Sequence, residues 1–166
     1  MASTAPSPAA SPLFLREEEI RRGIELLHFG HAALAQAIEP VLAAHGLGHA
    51  HQRALYFIAR RPNLSVSALI GLLGITKQSL GRVLDELIER ELVEASAGLR
   101  DRRQRLLRLT AAGEAVEDAL FAAMRERVAG AYSAAGQGSV TGFWRVLENL
   151  LDAEDQRLVA GLQIGR

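Results

Sequence analysis

The chain has 166 residues, 49% of them apolar and 23% charged, which suits one packed unit or two small ones sharing a core and excludes wholesale disorder. Nineteen basic side chains balance nineteen acidic ones and cysteine is absent, so a polybasic chain, a disulfide framework, a thiolate metal site and cysteine chemistry are all excluded. No run reaches the roughly 18 apolar residues of a membrane-spanning helix, and the opening MASTAPSPAASP lacks the basic start and apolar run of a secretory signal; a cytoplasmic protein without membrane attachment is expected.

The neutral total hides a division. Residues 49–108 carry eleven Lys/Arg against six Asp/Glu, while the flanks carry eight against thirteen. A local positive footprint on a neutral scaffold points to an anion-binding module in the middle of the chain.

Residues 1–12 hold three of the five prolines among Ala and Ser and read as a disordered tail. From Leu13 to about Ala44 a helix carries Ile20, Ile24, Leu27, Leu34 and Ile38, and Pro40 should kink it or start a separate short turn. After the loop His45-Gly46-Leu47-Gly48, a second helix over about 49–61 turns Leu55, Phe57 and Ile58 inward and stops against Pro62. Ser65 caps a short third helix through Leu72, with Leu69, Leu72 and Leu73 inward.

Gly71-Leu72-Leu73-Gly74-Ile75 makes a turn, and Thr76 caps a fourth helix to about Arg90. There Leu80, Val83, Leu84, Leu87 and Ile88 form one apolar stripe, which leaves Lys77, Gln78, Gly81, Arg82 and Asp85 on the opposite face. That face is polar or basic in its first half and acidic in its second, so an anionic partner would meet only its beginning.

The period then changes. Leu92-Val93-Glu94-Ala95 and Leu106-Leu107-Arg108-Leu109 read as two strands of a hairpin, with Ala97-Gly98-Leu99-Arg100-Asp101-Arg102-Arg103 at its tip. Five arginines and one aspartate lie between Arg100 and Arg108, and Arg105 and Arg108 face water or pair with Glu94 across the ribbon. Thr110 caps a fifth helix to about Tyr132; a sixth starts at Ser139 or Thr141 and runs to about Leu162.

Two short helices, a Gly-bearing turn, a helix polar at its start and an arginine-tipped hairpin follow the order of a winged helix-turn-helix. A helix fits the major groove and presents its first residues to base edges. A basic tip beside it reaches phosphates or the adjacent minor groove, where arginine is favoured.

The segment Gly74-Ile75-Thr76-Lys77-Gln78-Ser79-Leu80-Gly81-Arg82-Val83-Leu84-Asp85-Glu86-Leu87, followed by Glu91-Leu92-Val93, Arg100-Asp101-Arg102-Arg103 and Leu109-Thr110-Ala111-Ala112-Gly113, resembles the MarR family of bacterial transcription regulators over about residues 20–162. The resemblance implies a mainly α winged helix-turn-helix fold with a two-stranded β wing and long N- and C-terminal dimerisation helices. Its expected divisions are a tail at 1–12, an N-terminal dimerisation region at 13–48, a DNA-binding domain at 49–110 and C-terminal dimerisation helices at 111–166. It also implies a homodimer on a pseudo-palindromic DNA operator, read by helix 76–90 and wing 97–105.

Position by position, the resemblance places Thr76, Lys77, Gln78, Ser79 and Arg82 at the major groove and Arg102 and Arg103 in the wing, with Asp101 holding the tip. Ser65, Gly81 and Arg100 complete the expected DNA-binding set. Gly81 departs from the family's usual Ser, Thr or Asn, and Glu91 stands where Gly or Lys is usual, leaving the helix end without its common cap residue.

A small-molecule effector crevice is implied by the resemblance, with His28, His31, Arg53 and Phe57 as lining residues by location. All five histidines fall between positions 28 and 51. Without thiolates, and with helix positions that need not converge with the loop, they read as ordinary surface or interface residues, so no metal and no cofactor is expected. The wide apolar arcs of the last helices call for burial between two copies. No phosphate loop, dinucleotide fingerprint, nucleophile elbow or zinc-protease motif occurs, so no catalysis is expected. The competing reading is a winged-helix protein-interaction scaffold without sequence-specific DNA binding.

Overall fold

The computed structural model describes residues 13–98 and 102–163; the tail expected at 1–12 lies outside them. A short 3-10 turn, Leu13–Leu15, precedes α1 (Glu17–His45), α2 (His49–Arg60), β1 (Leu64–Ser65), α3 (Val66–Leu73), α4 (Lys77–Glu89), β2 (Val93–Ala97), β3 (Arg105–Leu109), α5 (Ala111–Ala135), α6 (Gln137–Leu150) and α7 (Ala153–Gln163). The mainly α winged-helix class is the observed one. Among the described residues no helix is long and apolar enough to cross a membrane.

Pro40 neither ends α1 nor starts a new element; it lies inside one continuous helix. Proline removes a backbone donor and costs roughly 3 kcal/mol in a helix interior. The buried Ile38 and Leu42 flank it, 1% and 2% exposed, and burying two such side chains at about 1.5–3 kcal/mol each offsets that cost. The chain divides between Gln36 and Ala37 into two units, at the residue whose carbonyl Pro40 leaves without a helical donor. In the amino-terminal unit Ile20, Ile24, Leu26 and Phe29 are exposed.

The carboxy-terminal unit holds the core. Leu80, Leu84 and Leu87 of α4 are buried with Leu55 and Ile58 of α2, Leu69 of α3, Leu107 of β3, and Val116 and Leu120 of α5. The stripe read from the sequence of α4 is therefore its inward face, and Val83 and Ile88 pack at its margins. Phe57, Leu72 and Leu73, expected inward, are half-buried and pack against the same core.

The wing belongs to a three-stranded antiparallel sheet of order β1-β3-β2. Besides the hairpin, Leu64 pairs with Leu107 and Ser65 with Leu106, so the two-stranded ribbon gains a third strand. Two residues carry no readable period, and only the tertiary placement of β3 makes them a strand. The third strand answers the marginal stability of an isolated hairpin. In the hairpin Val93 pairs with Leu109 and Glu94 with Arg108.

At the carboxy-terminal end, one expected helix is two. Leu151 adopts an extended conformation that ends α6, and the Asp152 carboxylate accepts the N–H groups of Glu154 and Asp155 at 2.8 and 2.9 Å. Aspartate here is the cap of a new helix, a signal the apolar period running through Leu150, Leu151 and Leu158 obscured. Gly136, with φ 79°, separates α5 from α6.

Candidate nucleic-acid interface

The site is built on caps. Ser65 caps α3, its hydroxyl oxygen accepting the Ala68 N–H at 3.2 Å, and Gly74, with φ 59°, closes that helix in the left-handed conformation. Glycine meets this geometry without the Cβ clash that other residues carry. The chain thereby turns directly into Thr76, whose hydroxyl accepts the Ser79 N–H at 3.2 Å and donates to Ser79 Oγ at 2.9 Å. The Thr76 hydroxyl is thus engaged inside the cap with both the N–H and the hydroxyl of Ser79.

Lys77, Gln78, Ser79 and Arg82 are all exposed on the first turns of α4. The N–H groups of a helix start lack intrahelical carbonyl partners and carry partial positive charge, which adds to Lys77 and Arg82. Gly81 lies on the same helix, and a Cβ built on it meets nothing within 4 Å. No steric reason within the chain requires glycine there.

The far end of α4 explains the departure at Glu91. Glu91 takes φ 57°, and the N–H groups of Glu91 and Leu92 donate to Ile88 O and Leu87 O, both at 2.9 Å. This is the double closure that usually employs glycine in the left-handed position; here glutamate fills it, at a backbone cost of roughly 1–2 kcal/mol. The chain then enters β2, whose partner β3 returns below the wing.

The wing is closed by Gly98 N–H donating to Gln104 O at 2.9 Å. Arg102 and Arg103 are exposed on the returning side of the loop, as are Arg105 and Arg108 on β3. Arg100 and Asp101, expected at the tip, lie outside the described residues. Glu94 stands directly opposite Arg108, the cross-strand placement expected from the ribbon.

Of the residues expected to line an effector crevice, His28 and His31 are exposed on α1, Arg53 is exposed on α2, and Phe57 is half-buried with its ring edge-on to Tyr56. Among the described residues no group of three or more His, Asp or Glu side chains could hold a metal ion. Two of the five histidines instead face single carboxylates: His49 Nε2 lies 2.7 Å from Glu39 and His51 Nε2 lies 3.0 Å from Glu86.

A family model described as MarR family matches residues 45–104, from the end of α1 through the wing. The chain is 44% identical over 157 residues to the HTH-type transcriptional regulator PetP of Rhodobacter capsulatus, covering 95% of both. The chain belongs to the MarR family. It is therefore a winged-helix transcriptional regulator.

Solved MarR-type structures share its fold at low identity. A mutant MarR from E. coli complexed with operator DNA aligns over 86% of this chain and 100% of its own, with TM-score 0.65 and 21% identity. A MarR family regulator from Silicibacter pomeroyi aligns over 81% and 89%, with TM-score 0.67 and 24% identity. NadR in complex with 4-hydroxyphenylacetate aligns over 89% and 97%, with TM-score 0.67 and 23% identity.

Sequence reasoning missed the residues that hold α4 from behind, His51, Glu86 and Arg90. Their partners are distant in the chain, and the only local signal was His51 three residues after Gly48, whose N–H donates to His51 Nδ1 at 3.0 Å.

Proposed function

We propose that this MarR family protein acts as a homodimer on pseudo-palindromic duplex DNA. Gln78, Ser79 and Arg82 read base edges, and Lys77, Arg102 and Arg103 hold phosphates, with Ser65, Thr76, Gly81, Arg100 and Asp101 as the remaining proposed DNA contacts. The observation that carries the reading is the exposed polar and basic first turns of α4, with the core stripe behind them and an arginine-bearing wing following directly. Phosphate contacts supply affinity and steep salt dependence, while each good base contact adds about 1–3 kcal/mol of discrimination. A structural neighbour's complex with operator DNA supports the docking mode.

Dimerisation is supported by apolar side chains left uncovered in the single chain: Phe121 45%, Phe143 44%, Trp144 49%, Val146 60% and Leu150 65% exposed. Residues 13–48 and 111–166 are the proposed dimerisation regions and 49–110 the reading domain. A two-fold pair would bring two α4 helices to successive major grooves about 34–36 Å apart. The protein would work in the cytoplasm, without catalysis.

Modulation by a small molecule is part of the proposal, with Arg53 and Phe57 of α2 as candidate contacts, supported by NadR's complex with 4-hydroxyphenylacetate. Such a ligand must prefer one DNA-binding geometry, since equal affinity for both shifts nothing.

Selection of bound sequences from random duplex DNA tests the reading. A two-fold symmetric consensus is expected. Recovery of no consensus at low or moderate salt would instead favour a protein-interaction scaffold.

A further inference from the structure

The rear of α4 is fastened to the corner where α1 ends and α2 begins. Arg90 Nη1 donates to the carbonyl oxygen of His45 at 2.9 Å, one of the last-turn carbonyls of α1 that has no helical donor of its own. Four residues earlier on the same flank, Glu86 Oε2 meets His51 Nε2 at 3.0 Å. The His51 side chain is only 13% exposed, and its Nδ1 accepts the Gly48 N–H at 3.0 Å. An accepting Nδ1 carries no proton, so Nε2 bears it and donates to the carboxylate.

The corner is itself closed. Leu47 N–H donates to Leu42 O at 2.9 Å, ending α1, and His49 Nε2 lies 2.7 Å from Glu39 Oε1, which ties the first residue of α2 back to α1.

We propose that Glu86–His51 and Arg90–His45 form a two-point brace that sets the rotation of α4 about its long axis, making Glu86, Arg90 and His51 positioning residues for DNA reading. The inference rests on the DNA-binding function proposed above. Apolar packing of Leu80, Leu84 and Leu87 is non-directional, whereas two hydrogen bonds on one flank fix an angle. At about 1.5 Å per residue, Gln78 stands roughly 18 Å along the helix from Arg90. Slack at the rear is thus carried to the reading end, and any movement of the last turns of α1 reaches Gln78 and Arg82 through the brace.

The test uses the symmetric duplex recovered by selection and the same duplex with one base pair inserted between its half-sites. The wild type is expected to lose about tenfold or more in affinity on insertion. The Glu86→Ala/Arg90→Ala variant is expected to bind the parent duplex about tenfold more weakly and to distinguish the two duplexes by less than about threefold. Both substituted side chains are exposed, and the single variants serve if the double one does not fold.

Glu86→Gln and Glu86→Ala make the same change in charge, so the difference between them isolates the hydrogen bond. The glutamine variant, which keeps an acceptor for His51, should retain the wild-type spacing preference. Undiminished spacing discrimination in the double variant, or a glutamine variant that behaves like the alanine one, would overturn the brace. A wild type that selects no duplex at all would remove the DNA-binding reading first, and the brace with it; one that selects a duplex yet ignores the insertion would overturn the brace alone.

Discussion

Gly113 abuts the backbone carbonyl of Leu92 so closely that a Cβ built on it would stand well under 3.0 Å from that oxygen. Around this contact Thr110 donates its hydroxyl to Glu91 O at 2.6 Å and accepts the Gly113 N–H at 3.0 Å, while Thr110 N–H donates to Leu92 O at 3.1 Å. The Leu-Thr-x-x-Gly motif thus welds the start of α5 to the end of α4. Gly113→Ala must push two backbones apart, so it should destabilise by about 3 kcal/mol or more. The urea midpoint at unchanged m measures this; a loss below about 1 kcal/mol would show that the contact relaxes easily.

Glu91 presents the opposite case, an exposed non-glycine residue in a left-handed position. Glu91→Gly should stabilise the fold by roughly 1 kcal/mol, the relief of backbone strain exceeding the entropy glycine brings to the unfolded chain. Thermal unfolding decides the sign, and a lowered midpoint would mean that the glutamate side chain compensates its own strain.

Gly81→Ala separates folding from reading. Open space around the missing Cβ predicts a gain of roughly 0.5–1 kcal/mol in stability from helix propensity. If the exposed face of α4 enters a groove, the added methyl should weaken or re-specify binding to the selected duplex. A variant both more stable and unchanged in DNA preference would take Gly81 out of the interface.

Arg102→Ala or Arg103→Ala should weaken binding across all sequences and lower the slope of log K against log salt by about one. Gln78→Ala should instead change the preferred base at one position of each half-site. Gel-shift titrations over a range of salt distinguish the two, and an Arg103→Ala slope equal to that of the wild type would remove that residue from the phosphate contacts.

Glu117 on α5 is held above the ordinary glutamate range by burial and by the neighbouring Asp118, with Arg60 pulling the other way. A raised folded-state pKa means that the native protein binds this proton more tightly than the unfolded chain does. The group's favourable share is therefore complete below the unfolded value and is lost as pH rises through the folded one. Glu117→Gln should raise stability at neutral pH relative to the wild type, with the difference shrinking toward acid. Parallel pH–stability curves for the two proteins would show that Glu117 titrates as in the unfolded chain.

Periodicity, capping residues and charge placement made α2, α3, α4, the hairpin and the front of the candidate interface legible in the chain itself. These are local signals: Leu80, Leu84 and Leu87 mark their own face, and Thr76 caps the residues beside it. Three features were decided only when distant segments met. Leu64–Ser65 became a strand because β3 came alongside. Pro40 stayed inside α1 because Ile38 and Leu42 are held by other elements. The brace behind α4 exists because residues 35 and 45 positions apart in the chain are brought within hydrogen-bonding distance by the core, a proximity that no spacing along the sequence encodes.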